Sequence, residues 1–450
     1  MAEESNEQGL QSGSISTAEV TVMGIAGAAP VMCIGGTIGV MLEICGTGTA
    51  LAVVIATGLC IVFGLCYSYL ARDYNCCGGS YAYITNVFGT KSGLWSAFVY
   101  YGVTLTVSGG PAYIFSSYLH SLTGFPAWIG FFIFAAIVFG VSWFGAALST
   151  KATAVVFVVE MVLMVIPAVQ IIGMNPNEFT VGGAMYNAFV PGNGINGLFA
   201  AAAVWIMAFV GFEAASFMGE EMKDGWKGVR ISVPLSALGV GIVYVISFWL
   251  WTASMSPDQM AQLAASGDPL AAYCKMFSYA GGETMICISV MLAALACSLA
   301  LCPMMSRFMY DQGRTGLLPK ATTKLNKHQT PYVTTIIYMV MAFFSCMYGL
   351  YAYAGPFEGA ADLFSICGIN ALSTYAFIAI ACVKERWKES GANALIIGKI
   401  LPIVSVLVAF YSIFFASGTK YVIVTIAWFA LSLVLAIALS KRVDKDALAS

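Results

Sequence analysis

Gly24-Ile25-Ala26-Gly27-Ala28-Ala29-Pro30, followed by Gly35-Gly36, interrupts an apolar run over about residues 20–42. Pro30 removes a backbone donor and clashes with the preceding turn. The small residues around it let a neighbour, a ligand or water reach the freed carbonyls. A second interruption, Ala208-Phe209-Val210-Gly211-Phe212-Glu213, falls in the run at 196–218. One such break reads as a packing kink, because Gly and Pro are common in membrane helices. Two breaks five spans apart point to a transport site built at matching places in two halves.

The composition around these breaks agrees. Of 450 residues, 60% are hydrophobic and 9% charged, against about half and a quarter in a soluble domain. Such a chain cannot hide its apolar surface in a soluble core, which excludes a water-soluble enzyme or binding module. A net charge of −2 lacks the basic footprint of a nucleic-acid binder. The 13 Cys are scattered through apolar runs, and only His120 and His328 are available beside them. A zinc site or disulfide framework is therefore not expected, and the thiols read as small apolar fillers. Cys76-Cys77 falls in a loop expected inside the cell. The first residues are polar and acidic, without the pattern of a cleavable signal.

A helix needs about 20 apolar residues to cross hydrocarbon. Twelve spans are expected, near 20–42, 47–71, 92–119, 127–148, 151–173, 196–218, 231–254, 282–306, 332–354, 360–383, 395–417 and 420–440. The runs are too long and continuous for barrel strands. With the N-terminus inside, only Lys275 and Lys420 of the 20 basic residues fall outside, as the positive-inside rule requires. Both termini are then cytoplasmic. The expected organisation is a disordered cytoplasmic segment 1–19, one transporter domain 20–440 and a cytoplasmic tail 441–450. Within the domain, units 20–173 and 196–383 each hold five spans, and 395–440 holds two more.

Chemistry at the breaks follows from geometry. A half-helix that starts in mid-membrane presents unpaired N–H groups and a positive dipole end, which suit a carboxylate. A half-helix that ends there presents free carbonyls, which suit an ammonium. A zwitterion fits both. Trp205, Phe209 and Phe212 near the second break are candidates to cover an apolar side chain.

Three motifs carry a family resemblance. The first is Gly211-Phe212-Glu213 with Glu220-Glu221 and Lys223. The second is Gly78-Gly79-Ser80-Tyr81-Ala82-Tyr83 before Phe88-Gly89. The third is Arg307 with Gly316-Leu317-Leu318-Pro319, then Asn326 and Thr330-Pro331. In order and spacing these resemble the amino acid–polyamine–organocation superfamily of permeases, over about residues 20–440. The resemblance implies an all-α polytopic membrane protein with twelve transmembrane helices. It further implies a 5+5 inverted repeat of the leucine-transporter type plus two C-terminal helices, and a central site lined by spans 1, 3, 6, 8 and 10. By position it places Gly27, Ala28, Ala29 and Pro30 at the carboxylate-binding turn. Met207, Ala208, Phe209 and Gly211 fall at the second break, and Tyr100, Val103, Thr104 and Ser108 on the facing side of span 3. The sequence departs at Pro30, which offers no N–H where the family usually has a glycine amide. One carboxylate hydrogen bond is then lost or moved to Cys33–Gly36.

An ionisable group in the membrane is a functional candidate by default. Glu160 lies mid-span with no basic neighbour one turn away. In related permeases this position can hold a Lys standing where sodium would bind. Glu160 is either a proton carrier or cation ligand, or a neutral acid hydrogen-bonded to a neighbouring helix. Glu213 is a gate or amine contact, or else an orienter that pairs with unwound backbone N–H groups; the second is preferred. Glu43 and Asp362 read as solvated or capping. Lys151 is expected to snorkel and His120 to lie at the surface; Arg307 either pairs with acids of the inner loops as part of an inner gate or simply marks the cytoplasmic face, the second being preferred. Sodium coupling would need a hydroxyl pair on span 8, where only Ser298 stands. Proton coupling is thus preferred to sodium, and no cofactor or metal is expected.

The expected function is secondary active transport of an amino acid or related amine across the plasma membrane, by alternating access with proton symport or substrate exchange. The alternatives are a polyamine or other organic-cation carrier and a transporter-like nutrient sensor. A sensor would be expected to carry a partner-binding extension, and a major-facilitator carrier a longer central loop. No catalytic cluster or ATP motif sits in the spans. The expected partners are a small-molecule substrate and the lipid bilayer.

Overall fold

The computed structural model describes residues 9–74, 78–174, 188–253, 255–266, 268–353 and 358–443. The first eight residues, Cys76-Cys77 and the tail beyond residue 443 lie outside the described residues.

The first span is split where Pro30 breaks it. α1 (Thr17–Gly27) stops, Ala29 takes the left-handed conformation with φ of 48°, and α2 (Pro30–Cys45) begins. Pro30 is the first residue of α2, where a missing N–H removes no ladder bond. α1 is started by a capping box: the Ser16 hydroxyl accepts from Glu19 N, and the Glu19 carboxylate accepts from Ser16 N at 2.8 Å. Just before it, Ser14 N and Ile15 N donate to Glu221 O at 2.9 and 3.1 Å, and Lys223 N donates to Ile15 O. Ile15 is fully buried and Leu10 packs near Tyr310. The stretch expected as disordered up to residue 19 is therefore seated from Leu10 onward, because its two apolar residues find buried places.

The chain continues through α3 (Thr49–Leu70), α4 (Ser80–Phe88), α5 (Thr90–Thr123), α6 (Ala127–Trp143) and α7 (Ala146–Met174). Then follow α8 (Gly194–Trp205), α9 (Trp226–Thr252), α10 (Pro257–Ala264), α11 (Pro269–Met276), α12 (Gly282–Arg314), α13 (Tyr332–Ala352) and α14 (Glu358–Glu385). α15 (Leu401–Tyr411) is flanked by π-helical turns, and α16 (Thr419–Leu439) ends the bundle. Among the described residues the protein is all-helical, with only two isolated bridges. Each expected span coincides with a helical segment. Among the described residues nine stretches are long and apolar enough to cross a membrane; the first, Thr17–Leu70, contains the break before Pro30 and the turn at Gly46–Gly48.

The second break is wider than its sequence suggests. α8 stops at Trp205, and Ile206–Phe209 and Phe212–Phe217 form 3-10 turns on either side of Gly211, which takes φ of 114°. The cause is contact with the first break. A Cβ on Gly211 would stand 2.6 Å from the carbonyl carbon of Gly27. The two interruptions thus touch backbone to backbone, at the centre of a bundle in which α12 and α14 are the most enclosed long helices.

Candidate substrate site

Where the breaks meet, the bundle holds a cavity of about 220 Å³. Gly27, Ala28 and Ala29 form one wall, continued by Met32 and Cys33 of α2. Trp205, Met207, Ala208 and Val210 form the opposite wall. Val107 of α5, Cys297 of α12 and Phe364, Ser365 and Cys367 of α14 close the sides. The cavity leads past Thr37 to the half-exposed Val40. This is the end of the bundle away from most of the Lys and Arg residues. No charged side chain lines it among the described residues.

The backbone groups that the breaks release are partly occupied. The Cys297 thiol donates to Gly27 O at 3.3 Å, and the Cys33 thiol to Ala28 O at 3.3 Å. The Tyr244 hydroxyl of α9 lies 2.9 Å from Ala28 O and 2.7 Å from Ala208 O, bridging the two breaks. Thiols are weak donors, so a ligand ammonium can displace them. Beside these carbonyls, on the same wall, α2 presents its N-terminus to the cavity. Helix geometry leaves Val31 N–H and Met32 N–H without an intrahelical acceptor, and Pro30 has no N–H to add. Cys33 N already donates to Ala29 O. α2 is helical from Pro30, so the Cys33–Gly36 amides, to which a carboxylate bond is expected to move if not lost, serve its ladder.

Gly27, Ala28, Ala29, Met207 and Ala208 are brought together on the wall. Pro30 starts α2 behind it, and Gly211 is spent on the contact with Gly27. Phe209 is fully buried and packs edge-on against Tyr244 at 5.4 Å, behind the cavity rather than on it. On α5 only Val107 reaches the lining. Val103 and Thr104 lie a turn deeper, where the Thr104 hydroxyl donates to Tyr100 O at 3.1 Å. The Ser108 hydroxyl donates to Leu105 O at 2.9 Å. Tyr244 and the three cavity thiols were not legible as site residues. Nothing in the sequence near Tyr244 marks it, and the thiols resemble the other buried cysteines.

Glu213 orders the second break. Its Oε2 accepts from Gly211 N at 2.9 Å and its Oε1 from the Tyr100 hydroxyl at 2.8 Å. Both oxygens are engaged and the side chain is buried outside the lining. Glu160 differs. It is fully buried on α7, its backbone oxygen accepts from Ser289 of α12 at 2.7 Å, and neither carboxylate oxygen has a hydrogen-bond partner among the described residues. The hydrogen-bonded alternative for Glu160 therefore finds no partner there. A lone charge in such surroundings costs several kcal/mol or more.

The basic end of the bundle holds a buried ion pair. Arg307 Nε and the guanidinium's second arm meet Glu221 at 2.6 and 3.0 Å, with both side chains almost fully buried. Tyr100, Phe217 and Phe308 stack beside this pair. Arg307 thus pairs with an acid, the alternative not preferred from the sequence alone, and a bidentate carboxylate partner offsets the cost of burying it. Asp362, expected to be solvated or capping, accepts from Tyr353, from Tyr421 at 2.5 Å and from Lys420 at 2.6 Å. His120 and Lys151 are exposed.

A sequence model of the family described as amino acid permease matches residues 15–439. Branched-chain amino acid permease BcaP of Bacillus subtilis (strain 168) is 24% identical over 89% of this chain and 87% of its own. The Methylthioribose transporter of the same organism is 24% identical over 88% and 86%. The Low-affinity putrescine importer PlaP of Escherichia coli (strain K12) is 22% identical over 84% and 82%.

Proposed function

Because the chain belongs to the amino acid permease family, within the amino acid–polyamine–organocation superfamily, we propose that it carries a compact neutral amino acid by alternating access. The observation that carries this reading is the cavity at the junction of the breaks, free of charged side chains among the described residues, where the N-terminus of α2 stands beside carbonyls held in part by thiols. The substrate carboxylate would sit at Val31 N–H and Met32 N–H, favoured by the α2 dipole. The ammonium would displace the thiols at Gly27 O and Ala28 O. A small apolar side chain would rest against Trp205, Met207 and Val107. A diamine finds no carboxylate in the lining, since Glu213 is spent on Tyr100 and Gly211 N and Glu160 stands outside it.

The reading includes twelve spans in a 5+5 inverted repeat plus two, with both termini cytoplasmic. The conformation is then open to the outside and closed inside by the Arg307–Glu221 pair. Proton symport runs through Glu160, which α7 holds against α12 and near Cys297 of the cavity wall. The closing experiment is uptake into proteoliposomes loaded at fixed pH. Valine or leucine should accumulate with an inward proton gradient and compete with each other. Accumulation of putrescine, with no competition by neutral amino acids, would overturn the substrate assignment.

A further inference from the structure

Met207 of the cavity wall sits in the 3-10 turn Ile206–Phe209, which packs against α14. The residue it meets there is Gly368, which is buried and is not part of the lining. A Cβ on Gly368 would come 2.5 Å from Met207 Cβ, 3.0 Å from its Cγ and 3.3 Å from its Sδ. Met207 is therefore laid along bare helix backbone. Small residues in membrane helices let neighbours approach closely, and here the approach has a second effect. Met207 lines the cavity whereas Gly368 does not, so Met207 stands between the two. The same turn is held from behind. Phe209 is fully buried against Tyr244 at 5.4 Å, and the Tyr244 hydroxyl lies 2.7 Å from Ala208 O. A Met207 pushed off α14 has the cavity as its free space.

We propose that Gly368 sets the size limit of the substrate side chain, acting through Met207. The inference rests on the proposed function and narrows its substrate class to amino acids with aliphatic side chains up to that of leucine. Without a Cβ at position 368, Met207 lies back against α14 and the cavity keeps its room beside Trp205 and Val107. With a Cβ there, the first atom struck is Met207 Cβ, next to the backbone. Turning the flexible end of the side chain does not relieve that contact, so the whole residue shifts, as overpacked residues do. A leucine side chain then loses its place, whereas that of alanine, which reaches less far, keeps it. Gly368 touches no substrate and is a positioning residue. Met207 is suited to transmit its effect, because an unbranched thioether chain adapts to what lies beside it.

The test compares the KM for leucine and for alanine uptake in proteoliposomes of the full chain, for the parent, Gly368→Ala, Met207→Ala and the double variant. Gly368→Ala should raise the leucine KM about tenfold or more, the discrimination that a methylene-sized change in a hydrophobic pocket gives, and the alanine KM less than about twofold. The double variant should bring the leucine KM back to within about threefold of the parent, because a residue 207 cut back to Cβ leaves the space open even when displaced. Met207→Ala alone should let phenylalanine compete with leucine several-fold better than in the parent, which keeps the inference testable if Gly368→Ala does not fold. Equal rises in both KM values, no recovery in the double variant, or unchanged competition by phenylalanine would overturn it. The parent separates this inference from the reading beneath it. Leucine accumulation in the parent, with the same leucine-to-alanine KM ratio in Gly368→Ala, overturns the size limit alone. A parent that accumulates no neutral amino acid overturns both.

Discussion

At the scale of single residues, Glu160 and Glu213 separate on partners alone. Glu213 has both oxygens engaged and shapes the chain around Gly211. Glu160 has none engaged. Glu160→Gln is therefore expected to abolish accumulation driven by a pH gradient while leaving exchange of labelled for unlabelled substrate measurable. Gradient-driven uptake equal to the parent would remove Glu160 from coupling. Phe209 makes the opposite case. From the sequence it reads as an aromatic cover for the substrate, but its ring lies behind the wall on Tyr244. Phe209→Ala is expected to cost about 3–5 kcal/mol of stability, as other buried Phe truncations do, and to show as a lowered Tm. Met207→Ala, on the wall itself, should change substrate KM with little loss of Tm. The residues that carry the breaks were legible because Gly and Pro announce themselves. The side chains that meet those breaks from other helices were not. Tyr244 lies 36 residues from Ala208 and 216 from Ala28, and no local pattern spans such distances.

At the scale of elements, positions of helices followed from apolar run length and the first break from Pro30, whereas the cap at Ser16 lies in the stretch expected as disordered and was not legible. The length of the second break did not. It depends on Gly27 and Gly211 touching, a contact that only the assembled bundle makes. Gly211→Ala places a methyl group 2.6 Å from a backbone carbon and also forces a positive φ on a residue with a Cβ. Its expected result is loss of substrate-induced thermal stabilisation in a protein that still reaches the membrane. A normal thermal shift with substrate would show that the breaks can part. In the loop before α12, Asp268 caps α11 through Ala271 N and accepts from the Tyr118 hydroxyl at 2.8 Å. Burial is the main influence on its carboxyl and pushes it above the usual carboxylate value. A raised value in the folded state stabilises the fold fully below the ordinary value for aspartate and is lost as pH rises through the folded-state value. Tm should therefore gain from mild acid, and Asp268→Asn should flatten that part of the profile.

At the scale of the whole molecule, the open end and the closed end belong to different chemistry. The open end is lined by small and apolar groups, whereas the closed end depends on a buried ion pair. Glu221→Gln leaves Arg307 without its charge partner, and breaking such a pair costs about 3–5 kcal/mol. The expected outcome is a shift of the population toward the inward-open form. Labelling of Cys33, Cys297 and Cys367 by an impermeant thiol reagent from outside should then fall several-fold. Unchanged labelling would mean that the ring stack of Tyr100, Phe217 and Phe308 closes the cavity alone.

The absence of charged side chains from the cavity, among the described residues, has an electrical consequence. A zwitterion brings no net charge, so when it travels with one proton the membrane potential acts on that proton and on nothing in the cavity wall. Each 100 mV then supplies about 2.3 kcal/mol per cycle, enough for about fifty-fold accumulation at tenfold per 1.4 kcal/mol. Uptake should respond to voltage as a single-charge process whichever neutral amino acid is carried, so a potassium diffusion potential with valinomycin should drive accumulation even with no pH difference across the membrane.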